Sequence, residues 1–272
     1  VSASLRSGRS GLGPCPIALP FETCAGAVNL ELPTLPPDLS GWSTRSAGIA
    51  AHMLASLDPA LARMRQRWRP ERIAVLLGTS TAGADATEAA YLNFVRSGEL
   101  PAEYDLWRHH TYGAILHVVR ELTGARGPAW MVSTACTSSA KVLASAQRLI
   151  RADLADAAIV DTLCAMTLSG FHSLGALAAG PCRPFAADRS GISIGEGGAL
   201  LLMERDGEAM ALLEGVGESS DAYHMSAPHP DGNGAELARF AGRLARAVLP
   251  GGHLLLAHAN AVVDNPDATG FD

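Results

Sequence analysis

Lysine is almost missing: Lys141 is the only one in 272 residues, the other basic residues are arginines, and no basic run forms. With a formal net charge of −6 at pH 7, the chain lacks the electrostatic footprint of a nucleic-acid binder. No uninterrupted apolar run reaches the roughly 18 residues of a membrane span. The first residue is Val1, and nothing there has the order of a secretory signal peptide. The five cysteines, Cys15, Cys24, Cys136, Cys164 and Cys182, are odd in number and outline no disulfide framework. Cys15 and Cys24 lie in a Pro-rich stretch at no common zinc spacing. A reducing cytoplasm is the simplest compartment. Tyr223, His224 and His229 lack a His-x-x-x-His or paired-cysteine partner, so no metal is expected. Gly78-Thr79-Ser80-Thr81-Ala82-Gly83 lacks the P-loop lysine and the dinucleotide spacing, which leaves a tight turn rather than a phosphate cradle.

What is present suits a globular chain: 48% hydrophobic residues and enough length to bury a large core. Residues 1–40 read as irregular, because Pro14, Pro16, Pro20, Pro33, Pro36 and Pro37 forbid long helices. Residues 44–68 carry a helical stripe through Ile49, Met53, Leu57, Leu61, Met64 and Trp68, broken in two at Pro59. Ile73-Ala74-Val75-Leu76-Leu77 predicts a buried parallel strand, and 112–122 a helix ending near Gly124. Ala157-Ala158-Ile159-Val160 predicts another strand. Leu168, Phe171, Leu174 and Leu177 form a helical stripe. Ile192, Ile194, Leu200, Leu201 and Leu202 predict a hairpin around 195–198, and 211–216 a further strand. An amphipathic helix over 236–248 and a strand at Leu254-Leu255-Leu256, running into His258, complete the pattern. Strands alternating with helices argue for an α/β fold with a mainly parallel sheet.

The stretch with most chemical content is Trp130-Met131-Val132-Ser133-Thr134-Ala135-Cys136-Thr137-Ser138-Ser139-Ala140. Ala129 to Val132 reads as a short strand. From Ser138 onward, Val142, Leu143, Ala146, Leu149 and Ile150 recur at helical steps. Cys136 therefore falls on a strand-to-helix turn. A thiol there meets unpaired N–H groups and the positive end of the helix dipole, and both favour the nucleophilic thiolate. The same N–H groups suit an oxyanion. The competing reading is a small buried cysteine, a common role for that residue type.

Thr134-Ala135-Cys136-Thr137-Ser138-Ser139 resembles the nucleophile motif of the β-ketoacyl synthases, condensing enzymes of the thiolase-like superfamily. Further matches follow in order: Gly170-Phe171; Cys182-Arg183-Pro184-Phe185; Asp188-Arg189-Ser190-Gly191; Gly195-Glu196-Gly197-Gly198-Ala199; Leu200-Leu201-Leu202-Met203-Glu204. Asp221-Ala222-Tyr223-His224 and Pro228-His229-Pro230-Asp231-Gly232 resemble the opening of the fold's second half. The resemblance implies a thiolase-like layered αβαβα fold. It assigns residues 1–205 to the N-terminal half, without its first strand, and 206–272 to the start of the C-terminal half, so the chain looks incomplete at both ends.

The resemblance also implies roles. Cys136 would take an acyl group from an acyl carrier protein, and malonyl carrier protein would then lose CO2 and attack it. His258 would support decarboxylation, although His258-Ala259-Asn260 departs from the family's His-Gly-Thr. Phe171 would line the acyl pocket, or serve as a plain core aromatic. Arg183, Asp188, Arg189 and Glu196 read as structural, a buried ion pair ordering the loop near the cysteine. No cofactor is implied. The family's lysine, second histidine and Gly-rich loop lie further on, and Lys141 is misplaced for that lysine. Partners would be acyl carrier protein and, through Trp130 and Met131, a second copy or a related ketosynthase-like chain. The alternatives are a non-catalytic chain-length-factor-like subunit, or an acyltransferase or thioester hydrolase using Cys136 only.

Overall fold

The computed structural model describes residues 4, 6–135, 137–163, 168–184, 186–213, 215, 216, 218 and 230. Cys136 and His258 lie outside the described residues, as do the expected helix at 236–248 and the strand at 254–256.

Its centre is β3 (Ile73–Thr79), in which all seven residues are buried. It pairs in parallel with β4 (Ala129–Val132) on one side and β5 (Ala157–Leu163) on the other. β7 (Leu200–Glu204) closes the sheet antiparallel to β5, giving the order β4-β3-β5-β7. The period-2 pleat sends alternate β3 side chains to opposite faces. Ile73, Val75 and Leu77 pack against α1 (Arg45–Ser56), α2 (Asp58–Arg67) and α5 (Tyr112–Thr123). Ala74 and Leu76 pack against Val142, Ala146 and Leu149 of α6 (Ser138–Arg151). A strand covered on both faces explains the uninterrupted apolar run.

The expected break at Pro59 holds: α1 stops at Ser56, and α2 starts at Asp58 with the proline in its first turn, where its missing N–H costs nothing. Thr44 caps α1 by accepting the Ala47 N–H at 3.2 Å. α5 ends on Gly124 in the left-handed region (φ 70°), as the sequence predicts.

Several expectations fail. The residues around 195–198 form no hairpin. β6 (Ile194–Gly195) pairs in parallel with β2 (Cys24–Gly26), itself antiparallel to β1 (Gly13–Pro14), in a separate small sheet, while β7 belongs to the main one. The glycines carry the chain between sheets instead of turning it back. The stripe from Leu168 is cut short: α7 (Leu168–Ser173) ends before exposed Leu174, Gly175 takes φ 67°, and Leu177 bridges Ile192. The described residues of 211–216 form no strand. There Leu212 is exposed, and the Leu213 carbonyl accepts a bond from Gln147 of α6. The proline-rich start still holds β1, β2 and a 3-10 turn at Pro37–Trp42. Two helices had no clear periodicity and went unpredicted: α3 (Ala84–Ser97) and the single turn α4 (Leu106–His109). Among the described residues no helix is long and apolar enough to cross a membrane.

Candidate active site

The residues flanking position 136 form a strand–turn–helix elbow. β4 ends at Val132, Ala135 takes φ 51°, and Thr137 precedes the first turn of α6. A non-glycine residue in the left-handed region is held there only where its surroundings over-determine it, and here they do. The Thr134 N–H donates to Ser138 Oγ at 2.9 Å, and Ser138 Oγ donates to the Ala135 carbonyl at 2.6 Å. Thr137 Oγ1 donates to the Thr134 carbonyl at 2.7 Å. Thr137 and Ser138 thus lock the turn from inside. These hydroxyls brace the backbone on either side of the cysteine position, and Thr137 makes no side-chain cap bond to α6.

Neighbouring elements hold the elbow in place. Gly78, near the end of β3, lies under the start of α6: a Cβ there would sit 2.8 Å from the Ser138 carbonyl carbon and oxygen. Only glycine permits that approach. The Gly-rich segment 78–83 is thus a turn beside the elbow. Its Ala82 is buried with φ 48°. Gly83 meets α4 so closely that a Cβ would overlap the His109 carbonyl. Tyr112, at the start of α5, ties the two strand ends together. Its Oη accepts from Ser133 Oγ and donates to the Ser80 carbonyl, each at 3.1 Å. Sequence reading treated Tyr112 as a helix start only, and no local signal reveals its crossing role.

A cavity of about 480 Å³ opens beside the end of β3, lined in part by Thr79, Thr81, Asp85, Arg45 and Glu196. Glu196 was predicted to be structural. Arg45 of α1 forks onto its carboxylate at 2.5 and 2.6 Å, and the Val28 N–H donates to it at 3.0 Å. The Arg45 hydrogen bonds, opposed by burial and helped by Val28, hold the Glu196 carboxyl below its ordinary range. Arg45, in the partly buried pair the motif pointed to, was not singled out from sequence. Arg183 does pair with Asp188, but both side chains are exposed, so this is not the expected buried pair. Asp85 Oδ1 is buried without a hydrogen-bond partner among the described residues.

Phe171 is half-buried on α7, and it is not among the residues lining this cavity. Its neighbour His172 stacks on Phe21, ring centroids 3.5 Å apart and 3° from parallel. Thr23, two residues on, donates to the Ala178 carbonyl at 2.9 Å. The N-terminal segment therefore straps α7 in place, a role for Phe21 that the sequence did not announce. Among the described residues no group of histidines, cysteines and carboxylates is arranged to hold a metal ion.

Comparison with known proteins agrees with this architecture. The β-ketoacyl synthase N-terminal domain matches residues 45–209. Nodulation protein E of Rhizobium meliloti (strain 1021) is 29% identical over 82% of this chain and 60% of its own length. The 3-oxoacyl-[acyl-carrier-protein] synthase 2 of Mycobacterium bovis is 33% identical over 60% of this chain and 44% of its own. A Xenorhabdus doucetiae ketosynthase, solved in complex with its chain length factor, superposes with a TM-score of 0.79 at 37% identity, over 87% of this chain and 60% of that one. The chain thus spans about 60% of the length of the first of these relatives. Its fold is thiolase-like α/β, and with the elbow, the strand order and the domain match in agreement, the chain belongs to the β-ketoacyl synthase family.

Proposed function

We propose that the protein is a β-ketoacyl-[acyl carrier protein] synthase-type acyltransferase of fatty acid or polyketide biosynthesis, with Cys136 as nucleophile. The observation that supports this best is the braced elbow around position 136, with Ala135 at φ 51°. In the first step the Cys136 thiolate attacks the acyl thioester carbonyl, and the carrier-protein thiol leaves and takes a proton. Malonyl carrier protein then loses CO2, leaving a carbanion that attacks the acyl–Cys136 thioester. A carbon–carbon bond forms, the Cys136 thiolate departs, and a β-ketoacyl carrier protein results. N–H groups at the start of α6 are suited to the oxyanion of each tetrahedral intermediate. His258 is assigned to the enolate charge that develops during decarboxylation, and Phe171 to the acyl pocket. Residues 1–205 make the N-terminal half of the fold and 206–272 the start of the second. The reaction runs in the cytoplasm, and the chain pairs with one of its own fold; the Xenorhabdus ketosynthase, seen with its chain length factor, supports that pairing.

The test supplies the protein with acyl and malonyl carrier proteins and reads the product by mass spectrometry. A β-ketoacyl product lost on Cys136→Ala and strongly reduced by His258→Ala supports the assignment. Free acid released without condensation points to the thioester hydrolase instead. Absence of any Cys136-dependent acyl transfer points to a non-catalytic subunit.

A further inference from the structure

The cavity of about 480 Å³ beside the end of β3 has the size of a small-molecule site. The strand pleat puts Thr79 on the same face of the sheet as Val75 and Leu77. The cavity therefore opens toward α1, and Ser46 and Ile49 of α1 line it. α6, which follows the elbow, packs on the opposite face of the sheet. Open α/β sheets commonly hold ligands past the carboxyl ends of their strands. Here Ile17, Val28, Leu30 and Ile49 supply an apolar wall.

The polar end is acidic. Asp85, Glu88 and Glu196 line it against a single guanidinium, that of Arg45. Arg45 is committed to Glu196 through Nε and Nη2, and Nη2 also donates to the Val28 carbonyl at 2.9 Å. Asp85 acts on Arg45 through charge alone, with no hydrogen bond. Neither Asp85 nor Glu88 is in an ion pair among the described residues. Asp85 Oδ1 is buried there without a donor. Such an oxygen is costly, and a ligand that brings an N–H recovers the cost. The carboxylate is also held in place. Thr87 Oγ1, two residues on in α3, is hydrogen-bonded to Tyr104 Oη at 2.8 Å and to His110 Nδ1 at 2.7 Å. The Gly83 N–H donates to the His110 carbonyl at 3.3 Å. The first turn of α3 thus presents Asp85 in a fixed position. Among the described residues these carboxylates are not grouped to hold a metal ion, and the apolar wall suits a carbon chain.

We propose that this cavity binds a small amphipathic organic cation, a primary ammonium that donates to Asp85 and lays an aliphatic chain along Ile17, Val28, Leu30 and Ile49. An ammonium carries three N–H donors, enough for Asp85, Glu88 and the Thr79 hydroxyl. Its bond to Asp85 is charge-assisted, which sets it above a neutral alcohol of the same length. An anionic head would instead meet two carboxylates with no counter-charge of their own. Occupancy of this cavity goes beyond the condensation assigned to Cys136 and does not require it.

Calorimetric titration of the protein with hexylamine gives the test, with hexanol and hexanoate as probes of equal chain length and different head. The expected result is saturable one-to-one binding of hexylamine, with hexanol and hexanoate at least ~10-fold weaker. Added salt weakens the binding of hexylamine but not that of hexanol. Asp85→Asn keeps the side-chain volume and removes the charge. It raises the hexylamine dissociation constant at least ~10-fold, with unchanged circular dichroism. Absence of saturable hexylamine binding overturns the proposal, as does equal affinity for hexanol or hexanoate. So does binding that Asp85→Asn leaves unchanged. The three probes are compared on the unaltered protein, so they decide the question even where Asp85→Asn fails to fold.

Discussion

α3 and α6 are both 14-residue helices, and they are opposites. α6 buries Ser138, Val142, Ala144, Ala146, Gln147 and Leu149, while α3 buries only Ala90. The sequence of α6 repeats its apolar residues at helical spacing because its own sheet receives them. That of α3 sets large apolar residues around its second half, and nothing described receives them. The first kind of helix is complete within the chain and fixes the turn at position 136 in advance. The second is exposed along its C-terminal half. The turn at which the proposed nucleophile stands thus precedes the helix that is buried within its own chain, while α3 leaves its apolar residues exposed.

The contrast breaks most severely at Gly78. In Gly78→Ala the new methyl meets Ser138 backbone, which cannot swing aside like a flexible side chain. The expected cost is about 3 kcal/mol, read as a lower urea midpoint, together with loss of acyl loading because α6 is pushed off the sheet.

The link between Arg45 and Glu196 gives a smaller effect with a defined sign. The native Glu196 carboxyl is held below its ordinary value of 4.5, chiefly by hydrogen bonds from Arg45. In this acid range the unfolded chain binds more protons, so the contribution is complete above pH 4.5 and is lost as pH falls through the lowered native value. In Arg45→Gln most of that dependence goes, and the stability gap between the two proteins narrows as pH falls through that window. A gap that stays constant from pH 6 to about pH 3 would show that the pair contributes nothing through ionisation.

The smallest effect belongs to α3. Phe94→Ala changes the stability of the protein by no more than about 0.5 kcal/mol, as for exposed sites generally. A large loss there would mean that α3 is packed within its own chain, and the contrast with α6 would collapse.

The elements legible in the sequence were those that serve the core. β3, β4, β5, α1, α2, α5 and α6 follow from apolar periodicity and from breaks at Pro59 and Gly124, because burial on a sheet writes itself into the spacing. The elbow was legible from small residues between a strand and a helix, and its family from motifs in fixed order. What was missed depends on distant partners. The false hairpin at 195–198 arose because Ile194 and Leu200 look like two arms of one turn, whereas β2 and β5 claim them separately. Arg45 and Tyr112 act across long stretches of chain, which no local pattern records. α3 was missed because its apolar residues follow no single buried face.

The central claim is that the elbow makes Cys136 the reactive thiol, and brief labelling of the native protein with iodoacetamide tests it most directly. With mass spectrometry as readout, the account predicts that Cys136 is alkylated well before Cys15, Cys24, Cys164 and Cys182, and that prior acylation from an acyl carrier protein blocks it selectively. Equal labelling of all five cysteines, or labelling of Cys136 that acyl carrier protein does not affect, would contradict it.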